Sequence, residues 1–310
     1  MGEDIGFWAV AGLLVAVGVL ALATAMLDSV MGAAAMGHAR PVAAMFDPVR
    51  ETARLLVQQR SVVPASDSVL RLIGTGGIVL AAVLAALVVP VDVRPLADLD
   101  IGVVWFNAME VLVWAALWLI GWGSNATFGL VGGYRIIAQG LAYELPHMFA
   151  LITAALGAGS LRVGDIVAAQ SELWFVVWMP VAFAIYLLSV LAMAFWGPLG
   201  QPVDDDVAGG AVSELAGVDR LVFLAGRYAL LAVTAAFAVP LFLGGGAGPL
   251  LPGWLWMLLK TSAVIGVLVW VRWRLPTVRM DRFMEVAWMV LIPAILLQAL
   301  VVGIVVVVRS

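Results

Sequence analysis

The chain has 310 residues, of which 64% are hydrophobic and only 12% are charged, with a formal net charge of −4. Soluble domains carry about 25% charged residues, so the composition excludes an ordinary soluble fold. The sequence contains no cysteine, which excludes disulfide bonds, thiolate metal sites and cysteine-held iron–sulfur clusters in this chain.

Eight apolar runs are each long enough to cross a bilayer as a helix, which takes about 20 residues. They predict an all-α, polytopic integral membrane protein, organised as a single membrane domain over residues 1–310. The predicted spans lie near 5–27, 70–90, 101–122, 132–157, 173–196, 221–243, 251–271 and 284–308. Because the first run is long enough to span and follows acidic rather than basic residues, we expect no cleavable signal peptide.

Arginines concentrate in alternate loops between these spans. One set of loops and span ends holds Arg40, Arg50, Arg54, Arg60, Arg71, Arg135, Arg220, Arg272, Arg274, Arg279 and Arg282, and the other holds only Arg94, Arg162 and the terminal Arg309. By the positive-inside rule, the first set faces the cytoplasm. The distribution predicts an even number of spans in the cell (inner) membrane, with both termini on the outer side.

Four ionisable side chains fall inside the predicted spans. At 1.5 Å per residue, Glu110 lies about 14 Å and Glu144 about 18 Å along their helices, and Lys260 lies near mid-span. A charge at such depth costs a few kcal/mol or more unless it has a partner or a wet cavity. His147 shares a helix face with Glu144, and Pro146 frees a backbone carbonyl near both. We predict that the four belong to a proton or polar pathway; the alternative is that they hold helices together.

Residues 121–146 carry a motif across a glycine-rich turn between two apolar helices. It reads Gly121-Trp122, Ser124-Asn125, Gly132-Gly133, Arg135, Ala138-Gln139 and Tyr143-Glu144-Leu145-Pro146. This motif resembles the signature of the H-type membrane subunit of respiratory complex I, called subunit 1 in mitochondria. The family includes the equivalent membrane subunit of energy-converting hydrogenases. A second matching segment contains Arg272, Leu275-Pro276, Arg279, Asp281-Arg282, Trp288 and Pro293, and the resemblance covers about residues 40–300.

The resemblance implies a membrane subunit of NADH-quinone oxidoreductase that helps to form the quinone site and couples quinone reduction to proton translocation. Quinone is then a substrate of the complex, and no cofactor is expected on this chain. The implied partners are the other membrane and soluble subunits, quinone and the lipid bilayer, with no nucleic acid. The chain alone is not expected to be catalytic, since it has no nucleotide-binding loop and no flavin motif.

Individual residues are carried over from the family by position. The contacts implied at the quinone site or the inner face are Arg135, Gln139, Arg272, Arg274, Arg279 and Asp281. The proton pathway takes in Glu144, Lys260 and, from the loop before the sixth span, Asp204, Asp206 and Glu214. A solvated acidic loop is the alternative for the last three. His147 is not part of the family motif.

Residues 46–60 predict an amphipathic helix in the membrane interface. Val49 and Leu56 supply its apolar side, Arg50 and Arg54 its charged side, and Pro48 suits its first turn. The family has an amphipathic helix at this place. Contact with substrate and a simple surface anchor are both open for it.

Three segments depart from the family pattern. The fifth span ends Met193-Ala194-Phe195-Trp196-Gly197-Pro198, where the family usually has Glu-Thr-Asn-Arg-Ala-Pro. Gly226-Arg227 replaces an acid in the sixth span, and Asp28 follows the first span in place of a glutamate. These departures keep three hypotheses open: the respiratory subunit, a divergent paralogue in a hydrogenase-like or modified ion-pumping complex, and a non-catalytic membrane scaffold or channel.

Overall fold

The computed structural model describes residues 6–59, 63–91, 95–203 and 210–309, and this part of the chain is α-helical with no strand. The helices, in order, are α1 Phe7–Ala35, α2 Asp47–Val57, α3 Ser68–Ala86, α4 Gly102–Gly123, α5 Thr127–Ala158, α6 Val163–Ala168, α7 Phe175–Trp178, α8 Pro180–Met193, α9 Gly217–Phe242, α10 Gly253–Arg274, α11 Met280–Val286 and α12 Ile292–Arg309. A 3₁₀ turn, Pro41–Phe46, precedes α2, and a π-helical turn, Ala287–Leu291, joins α11 to α12. The all-α prediction is confirmed, including an amphipathic helix at α2.

Seven helical stretches in the described residues are long and apolar enough to cross a membrane. They are α1, α3, α4, α5, α9, α10 and the continuous stretch Met280–Val308. The predicted span 173–196 differs, because it is interrupted at Met179 and only Pro180–Met193 forms an apolar helix of 14 residues. Proline has no backbone N–H and clashes with the preceding turn, so the helix restarts at Pro180 instead of running through it.

Helix α1 also runs further than the predicted span 5–27, to Ala35. Asp28 was the expected end of the apolar run, but its carboxylate is buried and receives hydrogen bonds from other helices. With that charge paired, the alanine-rich segment after it continues the helix at little cost.

The helix ends sort onto two sides of the bundle. On one side, the end of α1 meets the end of α10 through Asp28 and Arg272, and the start of α3 meets the start of α9 through Arg71 and Asp219. The N–H of Asp67, just before α3, also donates to the carbonyl of Gly123 at the end of α4. We call this side the basic end. It is the side on which the arginine-rich loops of the sequence lie.

Helix α9 forms the centre of the bundle. It packs against α1, α3, α8 and α10, and most of its residues from Ala229 to Phe242 are buried. Phe237 of α9 stacks on Phe106 of α4 with ring centroids 3.8 Å apart. The remaining helices are thereby fixed in register, which places the polar residues of α1, α4, α5 and α10 described below.

Candidate functional site

A cluster of four polar residues lies between α4 and α5 in the interior of the bundle. His147 and Glu110 are almost completely buried, with 0% and 1% of their side chains exposed, and His147 Nε2 lies 2.9 Å from Glu110 Oε1. The ring N–H is poorly aligned for a hydrogen bond, although the two atoms are in ion-pair range. The amide of Asn107 donates to Glu144 Oε1 at 3.2 Å. The structure therefore brings together three predicted pathway residues: Glu110, Glu144 and His147.

Two tyrosines border this cluster. The ring of Tyr186, from α8, lies 5.1 Å from the ring of His147, and its hydroxyl donates to the carbonyl of Thr234 on α9. Tyr143, next to Glu144 in sequence, is buried with its hydroxyl unpaired among the described residues. The cluster therefore has a protein wall on the α8 side and unsatisfied hydrogen-bonding capacity beside the carboxylates.

A second polar centre lies at the basic end and is organised around Asp28. Its buried carboxylate accepts hydrogen bonds from Tyr228 at 3.0 Å, Arg272 at 2.7 Å and the indole of Trp273 at 2.9 Å. These donors come from α9 and α10, so one carboxylate ties three helices together. We call these four residues the Asp28 hub.

Trp196 connects this hub to the end of α8. The guanidinium carbon of Arg272 lies 4.0 Å, and that of Arg227 4.7 Å, from the centre of the Trp196 ring, which is within cation–π range. Arg227 also donates to the carbonyls of Ala194 and Phe195. Phe195 has a φ of 54°, a left-handed conformation that side chains other than glycine seldom adopt. The two arginines therefore hold a strained turn at the place where the sequence departs from the family.

A largely apolar cavity of about 530 Å³ opens beside the hub. Its walls come from α1, α3 and α9, and include Val17, Ala21, Val79 and Leu224. Its polar rim comes from α2 and the hub: Asp47, Glu51, Thr52, Ser29 and Tyr228. The guanidinium of Arg54 lowers the pKa of the Glu51 carboxyl by donating a hydrogen bond to it, which keeps that rim group ionised at neutral pH.

A second, more open cavity of about 740 Å³ adjoins the first at the basic end. Ser29 and Asp47 line both cavities. The second is polar, and Asp28, His38, Arg40, Arg50 and Arg272 are among its lining residues. Together the two cavities lead from an apolar groove among the membrane helices to a charged opening.

The other residues predicted at the quinone site or inner face take different positions. Gln139 is buried and donates to the carbonyls of Ala192 and Leu199, so it ties α5 to the end of α8 and lines neither cavity. Arg135 is partly buried on α5, and one of its terminal nitrogens has no partner among the described residues. Arg274 is exposed at the end of α10, and Arg279 and Asp281 are an exposed ion pair at 2.9 Å. Arg272 alone of the six reaches the Asp28 hub.

The acidic loop before α9 contributes one predicted residue to the described structure. Asp204 and Asp206 lie outside the described residues. Glu214 is partly buried in the loop segment that follows. The backbone of that segment packs directly on α5, where a side chain on Gly132 would meet the nitrogen of Ala211 at 2.2 Å. Glu214 therefore lies at the basic end, and no contact joins it to Glu110 or Glu144 in the part of the chain that the structure describes.

Lys260 lies at the opposite end of the bundle from the hub. Its ammonium donates to the carbonyls of Leu243, Gly245 and Ala247 at 2.7, 2.9 and 2.8 Å. It also lies 4.2 Å from the centre of the Trp174 ring. The expectation that a buried lysine needs a partner is met by the loop between α9 and α10, and this arrangement favours an anchoring role.

Sequence reasoning missed most of the cavity lining. Asp47 and Glu51 stand four residues apart on the predicted amphipathic helix, which was a signal that both point the same way. Tyr228 and Trp273 carried no local signal, because their partner Asp28 is 200 and 245 residues away in the sequence. Only the packing of α1 against α9 and α10 brings these side chains together.

Comparison with known proteins gives a consistent result. The family model described as NADH dehydrogenase matches residues 8–303. The chain is 38% identical over 208 residues to NADH-quinone oxidoreductase H-type subunit 2 of Geobacter sulfurreducens, covering 67% of this chain and 63% of that protein. It is 41% identical over 208 residues to H-type subunit 2 of Cereibacter sphaeroides (strain ATCC 17023), covering 66% and 65%. It is 37% identical over 265 residues to H-type subunit 1 of Rhodopseudomonas palustris (strain HaA2), covering 84% and 83%. The aligned part of the chain therefore spans 63% to 83% of these three relatives.

Proposed function

The chain belongs to the H-type membrane subunit family of NADH-quinone oxidoreductase, and from that premise we propose that it is the membrane subunit of a complex I-type enzyme. In this role it helps to form the quinone site and couples quinone reduction to proton translocation. The names of the relatives favour this function over a hydrogenase-like paralogue or a scaffold. The chain is an integral membrane protein, and we place it in the cell membrane with the basic end toward the cytoplasm and both termini outside.

The observation that carries the quinone assignment is the apolar cavity with its polar rim. A lipid-soluble quinone has an apolar tail and a head group with two hydrogen-bond acceptors. The wall of Val17, Ala21 and Leu224 suits the tail. The rim offers the hydroxyls of Thr52 and Tyr228 as donors, and the adjoining charged cavity leads toward the face where soluble subunits would bind. Electrons for reduction come from other subunits, since this chain holds no redox group of its own.

The coupling role follows from the two polar centres. Reduction of a quinone takes up two electrons and two protons, so it changes charge and hydrogen bonding at the basic end. Asp28 and Arg272 lie at that end, and Arg272 contacts Trp196 at the end of α8. Helix α8 also carries Tyr186, which packs on His147 in the interior cluster. This chain of contacts supports transmission from the quinone site to Glu110 and Glu144.

A substitution in the cavity wall tests the quinone assignment. Ala21 is buried and lines the cavity, so Ala21→Phe fills part of it with a ring. Loss of about 1.4 kcal/mol of binding would raise the KM for quinone about tenfold. Ala23→Phe, at an exposed position of the same helix that does not line the cavity, is the control. Equal KM values for the two variants, measured as NADH:quinone reductase activity in membranes, would contradict the assignment.

A further inference from the structure

We infer that Glu110 and His147 form one proton-holding unit, which exchanges a proton with Glu144 through water held between α4 and α5. The inference rests on the proposed function, because it names residues that carry the proton translocation of that complex. It adds a histidine that the family motif does not contain, and it gives Glu110 a specific partner.

The first argument is the charge balance of the buried pair. An unpaired charge on either side chain would be expensive at this depth, since both are nearly inaccessible to solvent. With one shared proton, the pair has no net charge whether the proton is on the imidazole or on the carboxyl. Loss of that proton leaves a neutral imidazole and a carboxylate, so the pair has two states that differ by one proton and one charge.

The second argument is a row of polar atoms without partners. On α4 the atoms without hydrogen bonds among the described residues belong to Asn107, Glu110, Trp114 and Trp118, at helical spacings of three and four that define one face. On α5 they belong to Arg135, Tyr143, Glu144 and His147. The two rows face each other, since Trp114 packs on Gly140 and Trp118 on Gly133. We call this interface the α4–α5 seam.

These atoms are buried within this chain itself, so a neighbouring subunit cannot reach them. More than about 90% of buried polar groups in proteins are paired, either with protein or with ordered water. A buried water needs polar partners of the kind that the seam supplies in a row. Water in the seam would therefore satisfy these groups and connect the Glu110–His147 pair to Glu144.

The transfer step is balanced as follows. A proton leaves the pair and passes through water to the Glu144 carboxylate. Asn107 already holds Oε1 of Glu144, so the unpaired Oε2 is the oxygen that accepts the proton. The O–H bond forms there as the bond to the pair breaks. The pair changes from neutral to −1 while Glu144 changes from −1 to neutral, so one negative charge moves from Glu144 to the pair as the proton moves the other way.

The test uses the whole complex in proteoliposomes and measures protons translocated per NADH oxidised. We expect Glu110→Gln and His147→Gln each to lower this ratio to the value of Glu144→Gln, and the double variant to lower it no further, because the pair acts as one unit. Glu110→Asp, which keeps the carboxyl, should retain most of the ratio. Glu172→Gln, at an exposed position on the opposite side of the bundle from the hub, is the control.

Two results separate the hypotheses. If Glu144→Gln lowers the ratio but Glu110→Gln and His147→Gln do not, the inference is overturned and the proposed function stands. If Glu144→Gln also leaves the ratio unchanged, the proton route of the proposed function fails. Should the Gln variants at 110 and 147 not assemble, infrared difference spectra of the wild-type and Glu144→Gln complexes decide. A Glu144 carboxylic C=O band that appears on quinone reduction with no accompanying imidazole change would overturn the inference.

Discussion

Removal of the Asp28 carboxylate should destabilise the bundle strongly, because three donors from two other helices depend on it. Asp28→Ala leaves Tyr228, Arg272 and Trp273 without their acceptor. Breaking a buried ion pair by removing one partner costs about 3–5 kcal/mol. Arg272 is 28% exposed and regains some hydration, so we expect the lower end, about 3 kcal/mol. That corresponds to about a hundredfold shift in the unfolding equilibrium.

The measurement is unfolding of the purified chain in mixed micelles by titration with a denaturing detergent, as a double-mutant cycle with Arg272→Met. We expect a coupling energy of about 1–2 kcal/mol between the two substitutions, since the two groups form one ion pair. Asp281→Ala, in the exposed pair with Arg279, is the control and should leave the unfolding midpoint unchanged. Strict additivity of Asp28→Ala and Arg272→Met would refute the reasoning.

Two further substitutions test the packing. Lys260→Met should lower the thermal stability of the chain in detergent by about 2–3 kcal/mol, since three carbonyls lose a charged donor, yet leave the protons translocated per NADH unchanged; a lower ratio would instead place Lys260 in the proton pathway. Gly132→Ala should destabilise the chain by about 2 kcal/mol or more, because its new methyl group meets the backbone of Ala211, whereas Gly266→Ala, with open space around it, should not; equal stabilities would contradict the close packing seen there.

The helices could be predicted because a membrane span needs only a long apolar run, which is a local property of the sequence. Their exact limits depend on contacts that the sequence does not display. Helix α1 continues past Asp28 because Arg272 and Trp273 pair with that carboxylate. Pro180 was visible within the predicted span 173–196, but apolar character continues through it, and only the backbone geometry reveals the break.

The candidate site was predictable in part for the same reason. Glu110, Glu144 and His147 stand out as ionisable residues in apolar runs, and the helical spacing places the last two on one face. The pairing of Glu110 with His147 depends on the register between α4 and α5, which the glycines of α5 set by admitting Trp114 and Trp118. The cavity required still more, since its wall is built from helices far apart in the sequence.

Membership in an NADH-quinone oxidoreductase is tested most directly by isolating this chain with its neighbours. The tagged chain is purified from membranes in a mild detergent, co-purifying subunits are identified by mass spectrometry, and the preparation is assayed for NADH:quinone reductase activity. We expect the other membrane subunits, a soluble quinone-site subunit and an NADH-oxidising module, together with that activity. A chain that purifies alone, or with a hydrogenase-type large subunit and no NADH-oxidising module, would contradict the proposed function.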